Sequence, residues 1–131
     1  MTLLLDTSVC IAFLRGNNQK VRDQLLGIGP EELRLCSVVK SELLFGARYS
    51  KRVDENLREL EKFFTPFVSL PFDDTAASHY GSLRQQLEAS GRAIGAHDMM
   101  IAATALAWDL TVATLDHDDF RRVPGLRVPA W

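Results

Sequence analysis

The chain has 131 residues, of which 47% are apolar and 24% charged. This composition is typical of one globular domain, so we expect a single domain over residues 1–131. The apolar runs are too short to span a bilayer, and the N-terminus lacks the basic and apolar segments of a signal peptide, so we expect a cytoplasmic protein. The formal net charge of −2 argues against binding of nucleic acid by bulk positive charge, unless the acidic residues surround a metal ion.

Strands and helices are predicted to alternate along the chain. Predicted strands are short and apolar or β-branched, and predicted helices have apolar residues three or four positions apart. The predicted strands cover residues 2–5, 33–37, 67–72, 110–114 and 126–131, the last an edge strand cut by Pro129. The predicted helices cover residues 9–16, 17–29, 38–50, 53–64, 73–91 and 97–109. This alternation favours a three-layer α/β/α fold with a mainly parallel sheet between helices.

Several helix ends carry recognisable signals. Asp6 and Ser37 follow predicted strands and are suitable N-cap residues for the helices after them, and Asp73 or Asp74 can cap the helix over residues 73–91. Gly16 ends the first helix. For Asp6, capping and chemistry remain competing interpretations when the residue is considered alone.

The cysteines and histidines indicate little chemistry. Cys10 and Cys36 lie among apolar neighbours, with no CxxC pair, and are predicted to be free buried thiols. The three histidines, His79, His97 and His117, lack zinc-ligand spacing, so we expect core or surface roles for them.

Four carboxylates are candidates for a common site. Asp6 and Asp116 each follow a predicted strand, and the carboxyl ends of parallel strands meet at the edge of the sheet where ligands bind. Glu42 and Asp98 lie in the opening turns of helices, among residues that belong in a core, where an ionised carboxylate is costly unless it is paired or binds metal.

Each carboxylate also has a structural explanation. Glu42 can be a solvated helix residue, Asp98 can complement a helix N-terminus, and Asp116 can belong to a polar loop with Asp118 and Asp119. One metal site explains all four carboxylates together, and we favour it for that reason.

Carboxylates of this number suit one or two Mg²⁺ ions, with Mn²⁺ as a substitute. Such ions support hydrolysis of phosphodiesters without a covalent nucleophile from the protein. No GxSxG, HExxH or GxxxxGK[ST] motif points to another mechanism. We therefore expect Asp6, Glu42, Asp98 and Asp116 together to hold one or two such ions.

Four segments of the chain then match a known family: "LLLDTSV", "SVVKSELLFGA", "GAHDMMIAATALAWDLTVAT" and "TLDHDDFRRVPGL". In order and spacing they resemble the PIN-domain ribonucleases, and within these the VapC-type toxins of bacterial toxin–antitoxin pairs. The resemblance implies a magnesium-dependent endoribonuclease whose acidic residues are Asp6, Glu42, Asp98 and Asp116. With it, we expect Asp6, Glu42 and Asp98 to hold Mg²⁺, and Asp116 to bind or orient a second ion or the attacking water. Asp118 and Asp119 are alternatives to Asp116.

The resemblance also implies a substrate and partners. The substrates would be structured RNAs, often tRNA cut in the anticodon stem-loop, and the chain is most similar to the branch that acts on initiator tRNA. The partners would be a small VapB-like antitoxin and a second copy of the chain. Apolar residues of "VCIAFL" and "VRDQLL" are candidates for the antitoxin groove, with core packing as the alternative.

Basic residues are candidates for phosphate contacts, although for any single one of them a solvated helix face is the favoured explanation. They are Arg48, Lys51, Arg52, Arg84, Arg92, Arg121 and Arg122. Two rival functions remain. A haloacid-dehalogenase-like phosphatase needs a second aspartate where Ser8 stands. A non-catalytic RNA- or protein-binding module of PIN-like fold would use the carboxylates structurally.

Overall fold

The structure is a computed structural model that describes residues 2–131. Four short strands alternate with seven helices and one 3₁₀ turn (Pro30–Glu32) within the described residues. The strands are β1 (Leu3–Leu5), β2 (Leu33–Cys36), β3 (Val68–Leu70) and β4 (Thr111–Ala113). The helices are α1 (Thr7–Arg15), α2 (Gln19–Leu26), α3 (Ser37–Arg48), α4 (Val53–Phe64), α5 (Asp74–Ala89), α6 (Ala96–Ala107) and α7 (His117–Phe120).

The four strands form one parallel sheet in the order β3-β2-β1-β4, which confirms the predicted fold class. Because crossovers between parallel strands are right-handed as a rule, the connections from β1 to β2 and from β2 to β3 put α1 to α4 on one face. The chain then crosses back past two strands to β4, which places α5 and α6 on the other face. The strand order therefore reverses beside β1, and a crevice opens between the carboxyl ends of β1 and β4.

The hydrophobic core lies on both sides of β1. Because both faces of the central strands are buried, their residues are mostly apolar. Leu4, Leu5 and Leu35 are fully buried, as is Ile101 on the almost wholly apolar helix α6. Burying a leucine or isoleucine side chain stabilises the fold by about 1.5–3 kcal/mol, so these strands are held rigidly from both faces. Their carboxyl ends are therefore fixed positions for side chains.

Most helix-end signals act as predicted. Asp6 caps α1, and Gly16 ends α1 in the left-handed conformation, with φ of 68°. Asp73, rather than Asp74, caps α5 by accepting a hydrogen bond from the Ala76 N–H at 3.0 Å. The prediction for Ser37 is wrong: α3 begins at Ser37 itself, after Cys36, with no side-chain cap.

The predicted edge strand over residues 126–131 is also wrong. No strand is present there, although one ladder-like bond runs from the Val112 N–H to the Arg127 carbonyl at 3.0 Å. Proline supplies no N–H to a ladder, so Pro129 keeps the segment from pairing further. The two cysteines, Cys10 and Cys36, are buried free thiols, as predicted.

Candidate active site

Asp6 stands at the carboxyl end of β1 and is the most buried carboxylate of the site, with 2% of its surface exposed. Its Oδ1 accepts a hydrogen bond from the Val9 N–H at 2.9 Å. The Ser8 Oγ lies 2.7 and 2.9 Å from its two carboxylate oxygens, and the Thr114 hydroxyl donates to Oδ2. Burial raises the pKa of Asp6, and these hydrogen bonds oppose that rise.

The same hydroxyl groups tie the end of β4 to Asp6. The Leu115 N–H donates to Ser8 Oγ at 3.0 Å, and the Asp116 N–H donates to Thr114 Oγ1 at 2.8 Å. Two segments that lie more than a hundred residues apart in sequence are thereby fixed side by side. This network positions the loop that carries Asp116 against the first strand.

Glu42 lies on the second turn of α3 and is partly buried. Its Oε1 accepts a hydrogen bond from the Thr7 hydroxyl at 2.6 Å, and its Oε2 lies 3.4 Å from Nδ1 of His97. Glu42 also lines an open cavity of about 310 Å³ with residues 95–98, which include Asp98. The carboxylate is therefore held at the mouth of a cavity large enough for water and a phosphate group.

A second group of carboxylates comes from α6 and α7. Asp98 lies in the first turn of α6, Asp116 immediately precedes α7, and Asp119 lies within α7. One oxygen from each lies within 4.8 Å of the other two. Asp116 and Asp119 are three residues apart, a spacing that places side chains on the same side of a helical turn. Asp118 is not part of this group.

The negative charges of the other acids in the site all act on Asp98. Burial and the neighbouring negative charges raise its pKa from an ordinary value of 3.8 to about 6. The charged neighbours responsible, in order of effect, are Asp6, Asp116, Glu42 and Asp119. The four predicted carboxylates therefore lie together at the crevice between β1 and β4, with Asp119 as a fifth.

The group formed by Asp98, Asp116 and Asp119 fits a hard divalent cation. Oxygen ligands about 2.1 Å from Mg²⁺ lie at most about 4.2 Å apart, so oxygens within 4.8 Å need only small rotations to share one ion. A cation would also relieve the repulsion that raises the pKa of Asp98. Asp6 and Glu42 lie outside this three-residue group.

Sequence reasoning did not assign the hydroxyl groups that orient the acids, which belong to Thr7, Ser8 and Thr114. The available signal was their position beside the strand ends, in "DTS" and at the end of "LTVAT". Asp119 was only one of several alternatives. Its i+3 spacing from Asp116 would have favoured it over Asp118, had a helical turn been predicted there.

Two apolar depressions lie on the α1 face of the sheet. A groove of about 370 Å³ lies between α1, α3 and α4, and its lining includes Ile11, Leu14, Leu60 and Glu42. A smaller crevice of about 150 Å³ is lined by Phe13, Leu25, Leu26, Ile28, Pro30, Leu33, Phe63 and Phe67. The predicted segment "VCIAFL" lines both depressions, through Ile11 and Leu14 in the groove and Phe13 in the crevice, whereas "VRDQLL" lines the crevice.

The candidate phosphate-binding cations differ in their partners. Arg52 and Arg84 pair with glutamates on their own helix or beside it, and Arg122 donates to the Ala93 carbonyl at 3.2 Å. The other four are exposed and make no ion pair within residues 2–131: Arg48, Lys51, Arg92 and Arg121. Within the described chain, no helix combines the length and apolarity required to cross a bilayer.

Comparison with known proteins agrees with this geometry. The PIN domain family profile matches residues 3–126. The tRNA(fMet)-specific endonuclease VapC of Shigella flexneri is 33% identical over the whole chain and 98% of its own length. Ribonuclease VapC of Rickettsia bellii is 34% identical, over 98% of this chain and 95% of its own.

Solved structures show the same fold. The DNA-bound VapBC of Salmonella typhimurium superimposes with a TM-score of 0.92 at 30% identity, covering 98% of this chain and 97% of that one. VapBC2 of Rickettsia felis, bound to a promoter DNA fragment, gives a TM-score of 0.91 at 27% identity, over 100% and 99% of the two chains. The strand-end acids, the parallel sheet and these full-length similarities lead to one conclusion: the chain belongs to the PIN-domain family, among the VapC ribonucleases.

Proposed function

We propose that this protein is a divalent-metal-dependent endoribonuclease that acts as the toxin of a toxin–antitoxin pair in the cytoplasm. The observation that carries the proposal is the grouping of Asp98 with Asp116 and Asp119, whose oxygens lie within 4.8 Å of one another. Burial and the four neighbouring carboxylates raise the pKa of Asp98 at this edge of the sheet. Such an arrangement is costly without a cation and is the usual setting for metal-assisted phosphodiester hydrolysis.

Asp98, Asp116 and Asp119 would hold one Mg²⁺ or Mn²⁺ ion, because one oxygen of each lies within 4.8 Å of the other two. Asp6 would complete the site as a further ligand, as the resemblance to the family implies, and Glu42 lines the adjoining cavity with Asp98. When bound, the cation supplies Lewis-acid chemistry that activates water and stabilises the leaving oxygen. Thr7 and Thr114 keep Glu42 and Asp6 in place through their hydroxyl groups.

Glu42 is placed to take the proton. Its Oε1 is occupied by the Thr7 hydroxyl, whereas Oε2 lies at the cavity beside His97. Water attacks phosphorus, one phosphorus–oxygen ester bond breaks, and the water proton passes to Oε2 of Glu42. The leaving ribose oxygen takes a proton from solvent, so the products are two RNA ends.

The nuclease proposal is tested by incubating end-labelled tRNA with the purified chain in Mg²⁺, Mn²⁺ or EDTA. Cleavage is expected only with metal, and Asp98→Asn should abolish it. Asp118→Asn is the matched control, because Asp118 is an exposed neighbour outside the acidic group. Cleavage by Asp98→Asn at the wild-type rate would refute the proposed site.

For the substrate, we propose tRNA cut in the anticodon stem-loop, with initiator tRNA favoured. Support comes from the similar protein of Shigella flexneri, which is named for tRNA(fMet). Sequencing of RNA 5′ ends after brief induction would identify the cleaved bond. Ends spread over many messenger RNAs, with none enriched in tRNA, would contradict this assignment.

For the partner, we propose a small VapB-like antitoxin whose apolar segment lies in the groove between α1, α3 and α4. The lining of the groove includes apolar Ile11 and Leu14 together with Glu42, so an occupant would contact a residue of the acidic site. We also propose a homodimer, by similarity to the family. Leu14→Glu should prevent co-purification of the partner. If Leu26→Glu prevents it instead, the smaller crevice is the docking site.

The alternative is a non-catalytic RNA- or protein-binding module with structural carboxylates. Calorimetric titration with Mn²⁺ discriminates the two functions. The nuclease proposal requires heat of binding that Asp98→Asn removes. Absence of Mn²⁺ binding, together with no loss of RNA or protein binding in Asp6→Ala, would favour the binding module.

A further inference from the structure

The outer surface of α3 carries two aromatic side chains that the core does not use. Phe45 is 69% exposed and Tyr49 is 85% exposed, whereas Phe63, Phe64 and Phe120 are all buried. The centroids of the Phe45 and Tyr49 rings lie 6.0 Å apart and their planes differ by 30°. The two rings therefore form a small, tilted pair that is exposed to solvent.

This pair continues the line of residues that begins at the acidic site. Glu42, Phe45 and Tyr49 are at positions i, i+3 and i+7 of α3, so they follow one stripe of the helix. At 1.5 Å per residue, the rings begin about 4.5 and 10.5 Å along the axis from Glu42. Gly46 lies in the same stripe, and nothing lies within 4 Å of the position that a Cβ would take there. The stripe is therefore open from the acidic site to the rings.

Positive charge is interleaved with these rings. The sequence from residue 45 to residue 52 reads "FGARYSKR", in which Arg48 immediately precedes Tyr49 and Lys51 follows it by two residues. Both cations are exposed and form no ion pair within the described residues. Exposed rings among free cations are the chemistry with which proteins bind single-stranded nucleic acid, because rings stack on bases and cations contact phosphates.

We propose that Phe45 and Tyr49 stack on unpaired bases of the RNA substrate, next to the cleaved phosphodiester, while Arg48 and Lys51 contact the backbone. The proposal rests on the proposed ribonuclease function and names the part of the RNA that the site recognises: a single-stranded loop. A second copy of the chain is the less suitable occupant. A two-fold interface would set this surface against itself, with like charges facing each other.

The test measures binding of a short fluorescein-labelled poly(A) strand by fluorescence anisotropy. EDTA is present, so that binding is measured without cleavage. Phe45→Ala and Tyr49→Ala should each weaken binding roughly 5- to 100-fold. Phe45→Trp should retain affinity because it keeps a ring. Leu44→Ala is the matched control, since Leu44 is an exposed aliphatic residue on the same helix. An RNA duplex of the same length should show little dependence on the rings.

Three results would overturn the inference. The first is wild-type affinity in both alanine variants, and the second is an equal loss of affinity for the single strand and the duplex. The third is conversion of the alanine variants from dimer to monomer, measured by light scattering. The last result would assign the surface to contact between copies. The inference and the nuclease proposal fail separately. Ring-dependent RNA binding by a chain that does not cleave RNA would refute the nuclease alone.

Discussion

Replacing Asp98 by asparagine should stabilise the metal-free protein above pH 6. The pKa of Asp98 is raised from 3.8 to about 6, which costs up to about 3 kcal/mol when the group is ionised. Asp98 is only partly buried, so solvent screening reduces this figure to about 1–2 kcal/mol. The N-terminus of α6 favours the ionised form by only about 0.3–1 kcal/mol. Asparagine removes the cost and keeps the shape.

The pH dependence of this effect has a definite sign. Below pH 3.8, Asp98 is neutral in both the folded and the unfolded chain and costs nothing. As pH rises towards 6, the unfolded chain releases this proton first, so the folded wild-type protein loses stability relative to Asp98→Asn. The difference should therefore appear between these values and remain constant above them.

The assay is thermal unfolding in EDTA over this pH range. The variant should melt roughly 3–8 °C higher than wild type at neutral pH and at nearly the same temperature near the acid limit. Asp118→Asn, the exposed neighbour, should show no such pH-dependent difference. Saturating Mn²⁺ should raise the melting temperature of wild type but not of Asp98→Asn. A variant that is less stable at every pH would refute the reasoning.

Three further substitutions test the supports of the site. Thr114→Val removes a donor to buried Asp6 and should destabilise the protein by about 1–3 kcal/mol at neutral pH and less in acid, by chemical denaturation. Thr104→Val is its control, because that hydroxyl bonds only a carbonyl of its own helix. Phe120→Ala removes the fully buried side chain of α7 and should cost about 3–5 kcal/mol, seen as a lower melting temperature. Arg127→Ala removes contacts to Thr111 and Asp109 and should speed hydrogen exchange of the Val112 amide.

Much of the fold was predictable because it depends on local patterns. The strands of the sheet are short apolar runs, and Asp6 and Asp73 cap the helices after them, as their side chains allow. The carboxyl-end rule then brings Asp6 and Asp116 to one edge without any knowledge of distances. Those features follow from periodicity and topology, which a single sequence contains.

The failures arise where tertiary contacts decide. The helix α7 has only four residues, too few for a hydrophobic period, so the i+3 relation of Asp116 and Asp119 was hidden. The hydrogen bond between Thr114 and Asp6 joins residues 108 positions apart, and no local pattern contains it. Ser37 has the chemistry of a cap, but β2 ends at Cys36 and the helix starts without one.

Net charge was the least reliable guide, because charge in this fold is segregated. Five acids lie at the edge between β1 and β4, while Arg48 and Lys51 stand unpaired at the end of α3 within the described chain. A divalent cation among the acids would add two positive charges to the site. The site would then repel RNA phosphates less strongly than it does without the cation. Cation binding and RNA binding would then strengthen each other reciprocally, as linkage requires. A mildly acidic chain can therefore bind RNA, since its affinity depends on where the charges lie and on whether the acidic site is filled.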